Sequence, residues 1–176
     1  MKALFLDRDG VINIDRNYVY KISDFTFIDD IFKVTKYYQG MGYLIIVVTN
    51  QTGIGLGLYT FEDFLNVNNY MIDGFKEHDV TINDVFYCPH NPELNCDCRK
   101  PKPKMFFQAK EKYNINLEES VMIGDKITDA QAAHNAGIKE IYLINNDKEL
   151  DFDVTRIKSL LEVIKWNILE QMELEE

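Results

Sequence analysis

The sequence predicts an α/β protein: a parallel sheet flanked by helices. Two observations carry this. Five short apolar runs recur along the 176 residues, at 3–6, 44–48, 85–87, 120–123 and 141–144, with stretches of helical spacing between them. Most of these runs also stop at residues suited to chemistry, namely Asp7 and Asp9, Thr49, Cys88, and Gly124-Asp125. In an open α/β sheet, ligands gather outside the carboxyl ends of the strands.

The first run ends in Asp7-Arg8-Asp9-Gly10. Two acids so close repel unless a positive group stands between them. A hard divalent cation such as magnesium, which prefers oxygen ligands, is the simplest partner. A carboxylate bound to it and facing a phosphate is a nucleophile. D-x-D-G alone equally describes a strand ending in a charged turn; the later motifs tip the balance. Residues 13–24 are polar, with Tyr18, Val19 and Tyr20 among them, and read as a flap over the end of the first strand. Asp29-Asp30 open a helix from Ile31 to Gln39, which Gly40 and Gly42 end.

The second run continues into Thr49-Asn50-Gln51-Thr52-Gly53-Ile54-Gly55-Leu56-Gly57. Hydroxyl and amide side chains followed by glycines suit a loop wrapping an oxyanion, or equally a flexible connection. The glycine spacing is not that of a dinucleotide fingerprint. Thr60 caps a helix reaching about Lys76, with Glu62 and Asp63 in its first turn.

The third run enters Cys88-Pro89-His90, five residues, then Cys96-Asp97-Cys98. Three thiolates and one imidazole form a recognised tetrahedral zinc set, closed and structural. The competing reading is three reduced thiols and a surface histidine. Zinc is favoured because all three cysteines of the chain fall in this pattern. Arg99 and Lys100 follow at once, in an otherwise acidic chain, so the metal loop is expected to fix both toward phosphate, and loss of zinc to misplace both. A helix is expected from Pro103 to Tyr113.

The fourth run ends in Gly124-Asp125-Lys126-Ile127-Thr128-Asp129. Asp125 completes a magnesium site with Asp7, and Thr128 or Asp129 caps a helix over 130–135 that Gly137 ends. After a fifth strand, Val154 to Met172 reads as one helix, with Ile157, Leu160, Leu161, Ile164 and Ile168 on its apolar face and a frayed acidic end, Glu173 to Glu176.

Length and composition fit one soluble domain over 1–176. A net charge of −10 argues against nucleic acid or an anionic membrane as partner. No run is long enough to span a bilayer, and the first apolar run meets Asp7 too early for a signal peptide. The expectation is a cytoplasmic monomer acting on a small phosphorylated molecule.

Asp7-x-Asp9-Gly10, Thr49, Lys100, and Gly124-Asp125 with Asp129, in this order, resemble the haloacid dehalogenase-like superfamily of phosphatases across nearly the whole chain. The finer pattern is similar to the family of heptose 1,7-bisphosphate 7-phosphatases, including Asp7-Arg8-Asp9-Gly10-Val11-Ile12-Asn13, Thr49-Asn50-Gln51-Thr52-Gly53 and Cys98-Arg99-Lys100-Pro101. The resemblance implies a capless, Rossmann-like fold. It implies magnesium held by Asp7, the Asp9 carbonyl and Asp125, with structural zinc on Cys88, His90, Cys96 and Cys98. Asp7 is implied as nucleophile and Asp9 as general acid and base, with Thr49 and Lys100 neutralising the phosphoryl charge. Substrate contacts are implied for Asp15, Arg16, Asn17, Tyr18, Thr49, Asn50, Gln51, Thr52, Arg99, Lys100 and Lys126, with Arg99 on the second phosphate.

The implied reaction is removal of the C7 phosphate of D-glycero-D-manno-heptose 1,7-bisphosphate through an aspartyl-phosphate. It serves synthesis of nucleotide-activated heptose for lipopolysaccharide and other surface polysaccharides. The alternatives are a histidinol-phosphate phosphatase, from the nearest related family, and a zinc-stabilised binding module without catalysis. Leu56 departs from the family pattern, which often has Arg or Lys in this loop, and Lys104 stands where glycine is usual.

Overall fold

The computed structural model describes the backbone of residues 1–174 and the side chains of residues 1–169. Six strands form one parallel sheet: β1 (Ala3–Leu6), β2 (Leu44–Asn50), β3 (Ile82–Cys88), β4 (Val121–Gly124), β5 (Glu140–Ile144) and β6 (Thr155–Ile157), in the order β3-β2-β1-β4-β5-β6. The chain builds outward from β1 to β3, then crosses back to place β4 on the other side of β1. The strand order therefore reverses between β1 and β4, where α/β sheets open their binding crevice. Asp7 and Asp125 follow those two strands directly, and the Asp7 N–H donates to the Ile123 carbonyl at 3.1 Å.

Alternate residues of the strands face two separate cores. On one face Leu4, Leu6, Ile45, Val47, Val121 and Ile123 pack against α1 (Ile31–Gly40), α3 (Phe61–Glu77) and α6 (Leu161–Leu174). On the other, Ala3, Phe5, Ile46, Val48 and Met122 meet α4 (Lys104–Tyr113) and the alanine-rich α5 (Ile127–Ala136). Phe5 and Phe106 meet edge to face, with centroids 4.9 Å apart. Thr60 and Asp63 form a reciprocal capping box at the start of α3.

The sequence expectations differ from the structure in several places. Strand β3 spans seven residues, Ile82–Cys88, where the sequence predicts only 85–87. The loop after β2 contains a single helical turn, α2 (Thr52–Gly55). Thr49, read as part of that loop, is still in the strand. Helix α5 begins three residues earlier than expected, with Lys126 at its N-cap; Asp129 is its third residue, reaching back to the N-terminus rather than capping it. The stretch read as one helix from Val154 divides into β6 and α6. Ile157 therefore belongs to the sheet edge, and Leu160 precedes the helix while still buried. Glu173 and Leu174, part of the acidic end read as frayed, are helical, whereas Glu175 and Glu176 lie outside the described residues. Among the described residues no helix is long and apolar enough to cross a membrane.

Candidate active site

Asp7, Asp125 and Asp129 converge at the crevice, with one carboxylate oxygen from each within 4.8 Å of the others. Lys100 meets them from the loop after β3. Its ammonium pairs with Asp129 Oδ1 at 2.7 Å and Asp7 Oδ1 at 3.0 Å, and donates to the Val48 carbonyl at 2.8 Å. An ammonium has three donors, so this network employs all of them. The Asp129 carboxylate also accepts the N–H groups of Asp125 and Lys126, at 3.1 and 3.0 Å. Sequence reasoning placed Asp129 in the motif with Gly124-Asp125 and made it an alternative to Thr128 as the cap, but gave it no partner; its place beside Lys100 follows from the tertiary packing of α5 on β4.

Three carboxylates face the buried Lys100 ammonium and, 4.0 Å from Asp125 Oδ2, the half-exposed Lys126 ammonium, so negative charge is in excess. Burial first, then the Asp129 charge, pushes the Asp7 carboxyl up to about 6, against the pull of Lys100. Burial and the charges of Asp7 and Asp129 push Asp125 up to about 8. Asp125 Oδ1 is buried without a hydrogen-bond partner. A hard divalent cation fits this donor set, neutralising the excess charge and engaging the orphan oxygen. Close packing supports the same arrangement: a Cβ on Gly10, whose φ is +94°, would lie 2.2 Å from Asp125 Oδ2. A cation bound through Asp125 would displace its proton, so apparent magnesium affinity should rise as pH increases from 6 to 8, by up to about tenfold per unit, and level off above 8. Calorimetric titration of the metal-free protein at pH 6, 7, 8 and 9 measures this. A pH-independent affinity over that range would contradict it.

Asp9 is held from three sides. Arg8, almost fully buried, donates to both Asp9 oxygens at 3.2 Å, to the Val19 carbonyl of the flap at 2.7 Å and to Asn68 of α3 at 3.4 Å. Asn13 Nδ2 donates to Asp9 Oδ1 at 3.0 Å, and Gln51 Nε2 to Asp9 Oδ2 at 3.2 Å. Arg8 was not singled out in the sequence, where an arginine between two aspartates reads as part of a charged turn.

A cavity of about 840 Å³ opens beside these groups. Asp9, Asn50, Gln51 and Lys100 line it together with Asp15, Asn17 and Tyr18 of the flap, Thr52 of α2, and Arg99 and Lys126. Asp7 and Thr49 are almost fully buried and lie behind this lining, bonded to Lys100 and Gln51 respectively. Arg99 donates through Nη1 to the Thr52 hydroxyl. Lys126 pairs with Asp15 at 3.1 Å, joining the flap to the start of α5. Arg16, expected at the substrate, is outside the cavity lining and directed toward the Thr26 hydroxyl, 3.5 Å away on the exposed side of the flap.

Cys88, His90, Cys96 and Cys98 also converge, with donor atoms mutually within 4.8 Å. The Cys88 and Cys98 sulfurs are 3.0 Å apart, Cys88 and Cys96 3.4 Å, Cys96 and Cys98 3.7 Å, and His90 Nδ1 lies 3.1 Å from Cys98 Sγ. A tetrahedron with bonds of about 2.1–2.3 Å has edges of roughly 3.4–3.8 Å, so the donor set suits zinc. The Gln51 N–H donates to the Cys88 carbonyl at 2.8 Å. Asn50 grips the Lys100 backbone reciprocally: the Lys100 N–H donates to its Oδ1 at 3.0 Å, and its Nδ2 donates to the Lys100 carbonyl at 3.3 Å. Asn91, Pro92, Glu93 and Asn95 of the loop form part of the cavity wall.

The chain is 42% identical over 165 residues to a D-glycero-alpha-D-manno-heptose-1,7-bisphosphate 7-phosphatase of Campylobacter jejuni, covering 94% of this chain and 95% of that one. The chain belongs to the heptose-1,7-bisphosphate 7-phosphatase family. A Helicobacter pylori relative, named for the beta anomer, is 43% identical over 167 residues and covers 94% and 96%. The HAD-hydrolase-like family model matches residues 97–151 of this phosphatase. A crystal structure of a D,D-heptose 1,7-bisphosphate phosphatase from B. bronchiseptica, complexed with magnesium and phosphate, superposes with a TM-score of 0.89 at 25% identity, covering 97% of this chain and 99% of that one. The phosphatase is thus a phosphoric monoester hydrolase of haloacid dehalogenase-like fold, and its parallel six-stranded sheet agrees with the architecture expected from the sequence.

Proposed function

We propose that this chain is a magnesium-dependent phosphatase that removes the C7 phosphate of D-glycero-D-manno-heptose 1,7-bisphosphate through an aspartyl-phosphate on Asp7. The observation that carries the reading is the meeting of Asp7, Asp9, Lys100 and the Asp125–Asp129 pair at one crevice, in a chain 42% identical along its length to a protein named for this reaction. Magnesium, when bound by Asp7, the Asp9 carbonyl and Asp125, supplies positive charge at the phosphoryl oxygens.

Asp7, held through Oδ1 by the Arg8 N–H at 2.8 Å and by Lys100, attacks phosphorus. The bond to the sugar oxygen breaks, and Asp9 delivers its proton to that oxygen. Asp9 then takes a proton from the water that attacks phosphorus, which releases phosphate and restores the Asp7 carboxylate. Thr49 accepts from Gln51 at 2.9 Å, which leaves its own hydrogen for a phosphoryl oxygen. Lys100 acts through its charge, compensating Asp7 and Asp129, since its three donors are engaged within the protein. Arg99 and Lys126, on the cavity wall, suit the phosphate that is not removed. The proposal extends to a cytoplasmic monomer whose Cys88, His90, Cys96 and Cys98 would hold a structural zinc.

The test is phosphate release, with magnesium, from both anomers of heptose 1,7-bisphosphate beside histidinol phosphate and fructose 1,6-bisphosphate. Both anomers are included because relatives of nearly equal identity carry the two names. A preference for heptose 1,7-bisphosphate over histidinol phosphate, which lacks a second phosphate, of at least about 100-fold in kcat/KM is expected, the scale that contacts to that phosphate provide. Comparable turnover of histidinol phosphate would move the assignment to that reaction.

A further inference from the structure

Tyr59 lies between α2 and α3, almost fully buried on the wall of the cavity. Its hydroxyl donates to Gln51 Oε1 at 2.6 Å. The Gln51 amide nitrogen in turn donates to Asp9 Oδ2 at 3.2 Å and to the Thr49 hydroxyl at 2.9 Å. We propose that Tyr59 is a positioning residue for proton transfer: its hydroxyl fixes the direction of the Gln51 amide, and the amide holds the Asp9 carboxyl group where it meets the leaving oxygen. The proposal rests on the reading of Asp9 as acid and base given above.

An ionised Asp9 only accepts, so it selects the amide direction without help. A protonated Asp9 does not. Its O–H would bond equally well to a flipped Gln51 oxygen, and the proton meant for the sugar oxygen would be tied to the amide. The flip is opposed at the far end of the amide, by Tyr59. At 2.6 Å from Gln51 Oε1, the phenol directs its hydrogen to the amide oxygen. Burial, the leading influence, pushes the phenol up to about 12, so it stays protonated and a donor at neutral pH. A flipped amide would present N–H groups to that hydrogen and leave it without an acceptor. The ring cannot readily turn away. It stacks on Tyr20 of the flap, with centroids 5.2 Å apart and planes 5° from parallel, and a Cβ on Gly53 would already lie 2.0 Å from it.

Tyr59→Phe keeps the ring and removes only the hydroxyl. The comparison uses heptose 1,7-bisphosphate, whose alkoxide leaving group needs a proton, and 4-nitrophenyl phosphate, whose phenolate departs without one. For the variant, kcat/KM on the sugar ester should fall about tenfold and on the aryl ester less than about twofold, with the sugar KM within about twofold of wild type. The Gln51 side-chain NH₂ resonances, expected to be narrow in the wild type, should broaden or double in the variant, a readout independent of turnover. Equal falls on both esters would make the effect one of folding or phosphate binding and overturn the proposal, as would unchanged kinetics. A wild type that cleaves the aryl ester but not heptose bisphosphate would instead overturn the substrate reading. The leaving-group comparison is then made on fructose 1,6-bisphosphate, an alkyl ester with the same need for a proton.

Discussion

Asp7→Asn lowers turnover of the sugar bisphosphate by at least about 10⁴-fold, the scale on which loss of an enzymic nucleophile is felt. The size of the effect follows from the crevice. Lys100 is engaged by Asp7, Asp129 and Val48, and Asp9 by Arg8, Asn13 and Gln51. No neighbouring carboxylate is placed to replace Asp7: Asp129 is bound to Lys100 and two backbone N–H groups, and Asp125 lies against Gly10. Asparagine preserves the shape and still accepts from the Arg8 N–H and Lys100, so circular dichroism and melting temperature should change little. Acid quenching during turnover of ³²P-labelled substrate should leave label on the wild-type protein and none on the variant. Residual turnover above about one per cent would remove Asp7 as the nucleophile. It would also revive the reading of an Asp9-activated water attacking directly.

The second large effect concerns zinc. Cys96→Ser with Cys98→Ser removes two of four donors and, with them, the metal. Residues 89–98 form only one short helical turn, at Pro92–Leu94, and bury little apolar surface of their own, so a metal held by the Cys/His cluster would be their main cross-link. A loss of about 3 kcal/mol corresponds to a fall in melting temperature of roughly 6–12 °C for a chain of this size. The sequence suggested that Arg99 and Lys100 would be misplaced together. The structure separates them, because Asn50 grips the Lys100 backbone from the neighbouring strand while Arg99 is tied to Thr52 only through its side chain. The variant should therefore raise KM for the bisphosphate by about tenfold or more, the worth of one charge-assisted contact, while kcat falls less. A zinc-free double variant with wild-type KM and melting temperature would refute a structural role for the metal.

The site was legible from the sequence wherever chemistry sits at a strand's end. Asp7, Thr49, Cys88 and Asp125 each follow or close an apolar run, and such runs announce themselves. What escaped were residues whose role depends on partners distant in the chain. Arg8 contacts Val19 and Asn68, 11 and 60 positions away, and only burial turns a charged turn residue into the clamp on Asp9. Asp129 stood in the motif with Gly124-Asp125, but what escaped was its partner: local hydrogen bonding gives acids a capping role, and the ion pair with Lys100 arises only in the fold. Tyr59 followed a glycine-rich loop and carried no pattern at all. Strand β6 was hidden because Ile157, Leu160, Leu161 and Ile164 mimic helical spacing. Three residues pairing at a sheet edge, Tyr142 with Thr155 among them, have no periodicity to oppose it.

The excursion that carries the Cys/His cluster leaves the sheet at Cys88 and ends at Lys100, and both feet are fastened to adjacent residues, Asn50 at the end of β2 and Gln51 just beyond it. It is built like a handle. What happens along its arch, in length or in sequence, is isolated from the spot where the lysine is anchored. Two properties of the molecule thereby become separately adjustable: the arch, as cavity wall, can be remodelled to admit a different sugar, while the machinery that breaks the phosphate ester stays where it is. Grafting a longer or shorter arch between the same two feet is the natural way to change what this scaffold selects without rebuilding how it reacts.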